Sequence, residues 1–174
     1  MAADKKESAE MNTKSQALIS RVQKKLEMEG YKVIPNFTMM ARGKKQVINL
    51  VAVNRKGVYL VKVKNLSAKL VGDYKDKVWQ SVYEDGQTFE VYNTMKALYV
   101  SGLGINELLK EYNTRALTTT IFGDETVIKL TNAHPFSILN MRNMNRFFKS
   151  HKFKERLSDE TVDAIYEKLK SVAV

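Results

Sequence analysis

The sequence predicts an α+β protein in which a central mixed β-sheet is flanked by helices. A helical stretch precedes a run of short apolar strands, a second helical stretch interrupts the strands, and helices close the chain. This order corresponds to an αβββαβ-type core. The 174 residues suffice for one domain, and the hydrophobic fraction of 44% is typical of a globular chain.

We predict a flexible leader at residues 1–12 and a single domain at residues 13–174. The first helix is expected to begin at a cap formed by Thr13 or Ser15 and to end near Glu29. Apolar residues recur along it at helical spacing, which indicates one buried face. These residues are Leu18, Ile19, Val22 and Leu26.

A β-hairpin between Val47 and Asn65 is the strongest local signal in the chain, because two apolar strands flank the turn at residues 54–57. The preceding strand, 31–39, contains Pro35, so we expect an edge strand or a bulge there. Further strands are predicted at 66–73, 78–83, 88–92, 115–122 and 126–130, the fourth of them central in the sheet. Helices are predicted at 93–112, broken near Ser101, Gly102 and Gly104, at Pro135 to Lys149, and after a cap at Ser158.

The charge of the chain favours a polyanionic partner. The formal net charge is +10, from 29 basic and 19 acidic residues. Nucleic acid is the chief candidate, an acidic protein is another, and simple solubility is the alternative explanation.

The absence of cysteine excludes disulfides, thiol catalysis and sulfur-ligated zinc. It suits a reducing compartment, so we expect a cytoplasmic or other intracellular location. No apolar run reaches the ~18 residues that cross a bilayer, and the N-terminus is polar, so no membrane association is expected.

The second strand of the hairpin carries two lysines on one face. Lys62 and Lys64 are two residues apart, which places both side chains on the same face of a strand. Tyr59, Val61 and Val63 then point to the other face. The lysines are either a solvated surface or the floor of a site that meets an anion.

A series of short motifs begins at this hairpin and continues beyond it: Ile48-Asn49-Leu50-Val51, Gly57-Val58-Tyr59, Lys62-Val63-Lys64-Asn65, Trp79, Asn93 (with Thr94 in place of a proline) and Thr120-Ile121-Phe122. In order and spacing these motifs resemble those of the nuclease-related domain (NERD) family of the restriction-endonuclease-like PD-(D/E)XK superfamily. The likeness covers about residues 15 to 122. It implies a restriction-endonuclease-like fold.

The resemblance also implies a metal-assisted phosphodiester hydrolysis whose acidic residues are missing here. In the superfamily an Asp and a Glu hold Mg²⁺, and the lysine of Glu-x-Lys helps to activate water. The helix glutamate corresponds to Gln16, the aspartate to Asn49 and the second glutamate to Lys62, whereas the lysine is kept as Lys64. An amide is a weak ligand and an ammonium group cannot ligate. We therefore expect no catalytic residues, no metal and no cofactor.

The remaining cations suggest a binding role. We predict that nucleic-acid phosphates contact Lys62 and Lys64, with Lys44, Lys45 and Arg55 in flanking turns extending the basic surface. Whether the partner is DNA or RNA stays open.

Two other hypotheses remain. In one, the fold is a scaffold for a protein partner or for a second copy of the chain. In the other, an active metal-dependent nuclease has relocated its carboxylates, for which Asp73 and Glu90 are the better candidates.

Overall fold

A computed structural model describes residues 2–134, 136–149 and 154–174, with side chains for residues 13–134, 136–147 and 154–174. Within these residues the strands form two mixed sheets that are flanked by helices, which confirms the α+β class. The helices are α1 (Ala2–Met28), α2 (Thr94–Ala97), α3 (Tyr99–Leu109), α4 (Met144–Lys149) and α5 (Asp159–Val172). The strands are β1 (Lys32–Ala41), β2 (Lys44–Asn54), β3 (Gly57–Lys64), β4 (Lys69–Asp73), β5 (Val78–Val82), β6 (Thr88–Tyr92), β7 (Ala116–Phe122), β8 (Val127–Thr131) and β9 (Ile138–Asn140).

The larger sheet, which we call the main sheet, has the strand order β1-β2-β3-β7-β9. Its first three strands form an antiparallel meander, and β7 and β9 then add parallel to β3. The second sheet has the order β6-β5-β4-β8, in which β4 and β8 are parallel. As predicted, the segment 115–122 provides an internal strand of the main sheet.

Helices cover both faces of the main sheet. The apolar stripe of α1 packs on one face against Tyr59 and Val61 of β3. On the other face, α3 and α5 pack against Val58 and Leu60. A third cluster, centred on the fully buried Trp79, joins the second sheet to the end of β7. Helices and the second sheet thus leave little of β3 open to water.

The β1–β2 and β2–β3 turns are both two-residue hairpin turns. In the first, Arg42 and Gly43 have φ angles of 51° and 71°, which is the type I′ geometry that suits strand twist. In the second, Asn54 pairs with Gly57, and the Asn54 side chain accepts a hydrogen bond from the Lys56 N–H at 2.8 Å. The predicted central hairpin is therefore confirmed.

Strand β1 is an edge strand of the main sheet, as the proline at position 35 predicted. Asn36 has a φ of 49°, yet the pairing register continues unchanged from Pro35 to Phe37. Ile34 and Phe37, three residues apart, belong to the same hydrophobic cluster. The strand therefore switches faces at Asn36, which lies across from Asn49 on β2.

Three element boundaries differ from the sequence prediction. Helix α1 begins at Ala2, so neither Thr13 nor Ser15 caps it. The flexibility of residues 1–12 and the domain boundary at residue 13 remain predictions.

The helical segment 93–112 breaks at Leu98, not near its glycines. A Cβ at Gly104 would lie 2.9 Å from Met39 Cε and 3.1 Å from Ala41 Cβ. This glycine therefore permits close packing of α3 on β1 and does not interrupt the helix.

The helix predicted at 135–149 is wrong over its first part. Pro135 lies outside the described residues, and residues 138–140 form β9, which pairs in parallel with β7. A 3-10 helix at Met141–Asn143 follows β9, and α4 begins only at Met144.

Asn93 joins the second sheet to α2. Its side chain is buried, and its amide donates to the carbonyl oxygens of Tyr74 and Asp76 at 2.8 and 2.7 Å. Its side-chain oxygen accepts from the Met95 N–H at 2.9 Å, which caps α2. One side chain thus fixes the β4–β5 turn against the start of a helix.

We predict that Asn93→Ala lowers the free energy of unfolding by about 2 to 4 kcal/mol, since it leaves buried carbonyl groups unpaired and removes a cap. Urea denaturation followed by circular dichroism measures this change. Gln16→Ala, at an exposed position on α1, is the control and should change stability by less than about 0.5 kcal/mol. Equal stability of the two variants would contradict the role assigned to Asn93.

Candidate functional site

All four lysines of the predicted binding surface lie at one end of the main sheet, which we call the lysine end. Lys44 and Lys45 begin β2, whereas Lys62 and Lys64 lie at the end of β3. Because β2 and β3 are antiparallel, the start of one strand lies beside the end of the other. The parallel strands β7 and β9 also finish at this end.

Lys62 and Lys64 project from the α3 face of the sheet. They alternate with Val61 and Val63, which are buried under α1 as predicted. Both lysines are half-buried, in contrast to the exposed Lys44. Beside them on β7, Thr120 pairs with Lys62 and donates a hydrogen bond to Thr94 of α2 at 2.7 Å. The two ammonium groups therefore leave the sheet close to the start of α2.

The electrostatic environment of Lys64 disfavours its positive charge. Burial lowers the pKa of Lys64 from its ordinary value, and the neighbouring charge of Lys62 lowers it further. At the ~7 Å that separates alternate residues of a strand, two unit charges repel by about 2 kcal/mol at an effective dielectric constant near 20. An anion bound between the two lysines would relieve both effects.

Asn49 takes part in backbone hydrogen bonding. The β2–β3 ladder runs from Asn54 to Leu50 on β2, and beyond it the Asn49 Oδ1 accepts a hydrogen bond from the Val63 N–H at 2.9 Å. The side chain is half-buried. Its only oxygen is thereby engaged in holding the ends of the two strands together.

Gln16 does not join these residues. It is exposed on α1. The buried stripe of the helix passes through Leu18 and Val22, and the half-buried Ser15 continues this stripe. Helix α1 also lies on the face of the sheet opposite to Lys62.

Arg55, predicted in a flanking turn that extends the basic surface, lies at the other end of the main sheet from the four lysines. Strand β2 separates the two ends by 11 residues, or about 30 Å. Arg55 Nε and Nη2 donate to the two carboxylate oxygens of Asp159 at 2.7 and 2.5 Å, and Nη1 lies 3.5 Å from Glu155. Two carboxylates thus already balance its charge.

The candidate relocated carboxylates both belong to the second sheet. Asp73 accepts hydrogen bonds from the Lys75 N–H and from the side chains of Asn132 and Thr131, which lower its pKa. Glu90 is exposed on β6. In the described part of the chain, no hydrogen bond or ion pair joins either carboxylate to the lysine end, and no three His, Asp or Glu side chains are placed to share a metal ion.

The sequence reasoning missed Asp124, which follows β7 at the lysine end. The preceding Gly123 donates its N–H to the Lys64 carbonyl at 3.3 Å. Asp124 Oδ2 lies 3.3 Å from Arg21 of α1, whereas its Oδ1 is buried without a hydrogen-bond partner among the described residues. The sequence could have pointed to Asp124, because it comes directly after the strand predicted to be central in the sheet.

The mixed main sheet, covered by α1 on one face and by α3 and α5 on the other, defines a nuclease-like α+β fold. A family model described as nuclease-related domain matches residues 11–124, and the chain belongs to this NERD family. The matched region runs from α1 through β7 and contains the whole β2–β3 hairpin. No curated protein and no solved structure gave a match. Among the described residues, no helix is long and apolar enough to span a membrane.

We predict that the pKa of Lys64 lies below 10.5 and that Lys62→Met moves it only part of the way back, because burial remains when the neighbouring charge is removed. NMR titration of the Lys64 Cε resonance measures both values. Lys45→Met, at an exposed position on β2, is the control and should leave the Lys64 titration unchanged.

The lowered pKa has a consequence for stability. The pKa of Lys64 is 10.5 in the unfolded chain and lower in the folded chain. At pH values between these two pKa values, the unfolded chain retains a proton that the folded chain has lost. The contribution of Lys64 to the free energy of unfolding therefore rises with pH in this range. An ordinary titration of Lys64 in the wild-type protein would contradict the environment described for it.

Proposed function

We propose that this protein is a catalytically inert member of the NERD family that binds nucleic acid through the lysine end. The observation that carries the proposal is the half-buried pair Lys62 and Lys64. Lys62 occupies the position that the resemblance assigns to an acidic metal ligand of the family. Lys64 lies beside it, and burial lowers the pKa of Lys64, so its charged form is less stable than in water.

The lack of hydrolysis follows from the chemistry of the site. Mg²⁺ requires anionic oxygen ligands in near-octahedral geometry. Asn49 offers one neutral oxygen, and that oxygen already accepts the Val63 N–H. A divalent cation ~7 Å from Lys62 would meet a repulsion of about 5 kcal/mol at an effective dielectric constant near 20. The same arrangement attracts a phosphate group.

Nearby cations extend the surface that a nucleic-acid backbone would contact. Lys44 and Lys45 are exposed at the start of β2, and Arg42 is exposed in the turn before them. Arg42 thus replaces Arg55 in the predicted set of phosphate contacts. Side chains of this kind bind phosphates without reading bases, so we expect weak sequence preference and a strong dependence on salt.

A second candidate function is supported by exposed aromatic side chains. Phe89 and Tyr92 lie on β6, an edge strand of the second sheet, and Tyr99 begins α3. Their exposed fractions are 54%, 49% and 62%. Exposed apolar side chains beside an open strand edge are typical of protein-interaction surfaces, which favours the scaffold hypothesis as the alternative.

We predict that Lys62→Gln/Lys64→Gln weakens binding to a DNA duplex and makes its salt dependence less steep. Loss of two phosphate contacts should reduce the slope of log K against log salt concentration by about 1.8 for duplex DNA, and by about 1.4 for a single strand. Fluorescence polarisation across a salt series, with duplex DNA and single-stranded RNA of equal length, measures both slopes and distinguishes the two partners.

The matched control is Lys24→Gln/Lys129→Gln, which removes the same charge from exposed positions on α1 and β8. Its salt slope should equal that of the wild type. Equal slopes for all three proteins would remove the lysine end as the binding surface, and failure of the wild type to bind would favour the scaffold alternative.

We predict that Asn49→Asp/Lys62→Glu raises the affinity for Mn²⁺ at least tenfold, because it supplies two carboxylates and removes one repelling charge. Isothermal titration calorimetry measures the affinity of this variant and of the wild type for Mn²⁺.

A plasmid-nicking assay with Mg²⁺ tests the wild type for cleavage, which we expect to be absent. Metal-dependent cleavage by the wild type, lost in Asp73→Asn, Glu90→Asn or Asp124→Asn, would instead establish an active nuclease with relocated carboxylates.

A further inference from the structure

A cavity of about 750 Å³ opens at the end of the main sheet opposite to the lysine end. Its walls come from the second half of α3, the turn that begins β3, the loop between α3 and β7, and the segment before α5. We call it the arginine cavity, after Arg115 and Arg156, which line it. Its volume lies within the ~300–1,000 Å³ of small-molecule sites.

The charged residues that line the arginine cavity are mostly basic. Four basic residues contribute to it, namely Lys56, Lys110, Arg115 and Arg156, against one acidic residue, Glu107. Lys110 lies 2.5 Å from Glu107, so those two charges balance. In the part of the chain that the structure describes, Arg115 and Arg156 form no ion pair with a carboxylate. The cavity therefore presents two guanidinium groups whose charge is not balanced locally.

Apolar and amide side chains complete the walls. Leu103, Leu117 and Leu157 provide an apolar surface. Leu117 is 46% exposed, although it lies on an internal strand of the sheet. Asn106 and Asn113 add polar groups, and the Asn106 side-chain oxygen is fixed by the Ala116 N–H at 2.8 Å. An apolar surface in a cavity that is also lined by two arginines suits a ligand with a flat ring and a phosphate.

Arg55 fixes the position of one of these arginines. Its carbonyl oxygen accepts hydrogen bonds from the N–H groups of Arg156 and Leu157 at 2.7 and 3.0 Å. Its side chain holds the first residue of α5 through Asp159. The backbone of Arg156 is thus bonded to the β2–β3 turn, which reduces the ordering needed when a ligand binds.

We propose that the arginine cavity binds a nucleoside phosphate. The guanidinium groups of Arg115 and Arg156 hold the phosphate, since a planar fork of N–H donors matches phosphate oxygens. The base lies against Leu117 and Leu157. The length of β2 separates the arginine cavity from the lysine end. Substitutions in one site should therefore leave binding at the other unchanged.

Isothermal titration calorimetry of the full chain with ADP tests the proposal, with adenosine and inorganic phosphate as comparison probes. We expect ADP to bind at least tenfold more tightly than either probe, because only ADP uses both the guanidinium groups and the apolar wall. Arg115→Gln/Arg156→Gln should weaken ADP binding at least tenfold. Both residues are exposed, and thermal unfolding monitored by circular dichroism checks that the variant is folded.

Two further variants separate the parts of the site. Leu117→Asn, at an exposed position, should weaken ADP but leave inorganic phosphate unchanged, whereas Lys62→Gln/Lys64→Gln should leave ADP binding unchanged. The proposal is overturned if ADP does not bind at millimolar concentration or binds equally to the arginine variant. Equal affinity for ADP and inorganic phosphate would overturn the nucleoside part, since the leucines would then contact nothing.

Discussion

The double pairing of β3 is the constraint on which the rest of the structure depends. This strand is antiparallel to β2 on one side and parallel to β7 on the other. Its residues from Gly57 to Val61 are all buried, so water reaches the strand only near its end, where Lys62 and Lys64 stand. Both faces of the strand are packed up to Val61, and beyond it alternation places Val63 under α1 and the two lysines on the opposite face.

The candidate site lies on the hairpin of a NERD-family fold, and the family model matches this hairpin over its whole length. Asn49 shows how an amide can serve the scaffold, because its oxygen bonds the Val63 N–H where the ladder stops. Lys62 and Lys64 place two cations on the same face of β3. Among the described residues, neither Asn49 nor Lys62 belongs to a hydrophobic cluster.

Local patterns in the sequence predicted the hairpins, the internal strand β7 and the cap at Ser158. These features depend on residues close together in the chain, such as the glycine at 57 or the β-branched run before Phe122. The second sheet and the three-residue strand β9 could not be predicted, because their pairing partners lie far away in sequence. The break at Leu98 likewise depends on where α3 must lie against β1.

Two features of the site's geometry follow from local patterns in the sequence. Successive turns of an antiparallel meander fall at alternate ends of a sheet, so Arg55 and Lys44 belong to opposite ends. The phase of α1 is set by Leu18 and Val22, and Gln16 lies off that stripe. By contrast, the ion pair of Arg55 with Asp159 and the placement of Asp124 beside Arg21 required the tertiary structure.

The two longer parallel pairings, β3 with β7 and β4 with β8, are spaced alike along the chain. Val58 pairs with Ala116 and Lys69 pairs with Val127, and each pair spans 58 residues, since 116 − 58 and 127 − 69 are equal. When β7 and β8 return to pair with β3 and β4, a single long loop is closed. The conformational entropy lost in closing that loop is therefore lost only once, although two parallel ladders form. The main sheet and the second sheet should accordingly form in a single late, cooperative step of folding, after the local hairpins.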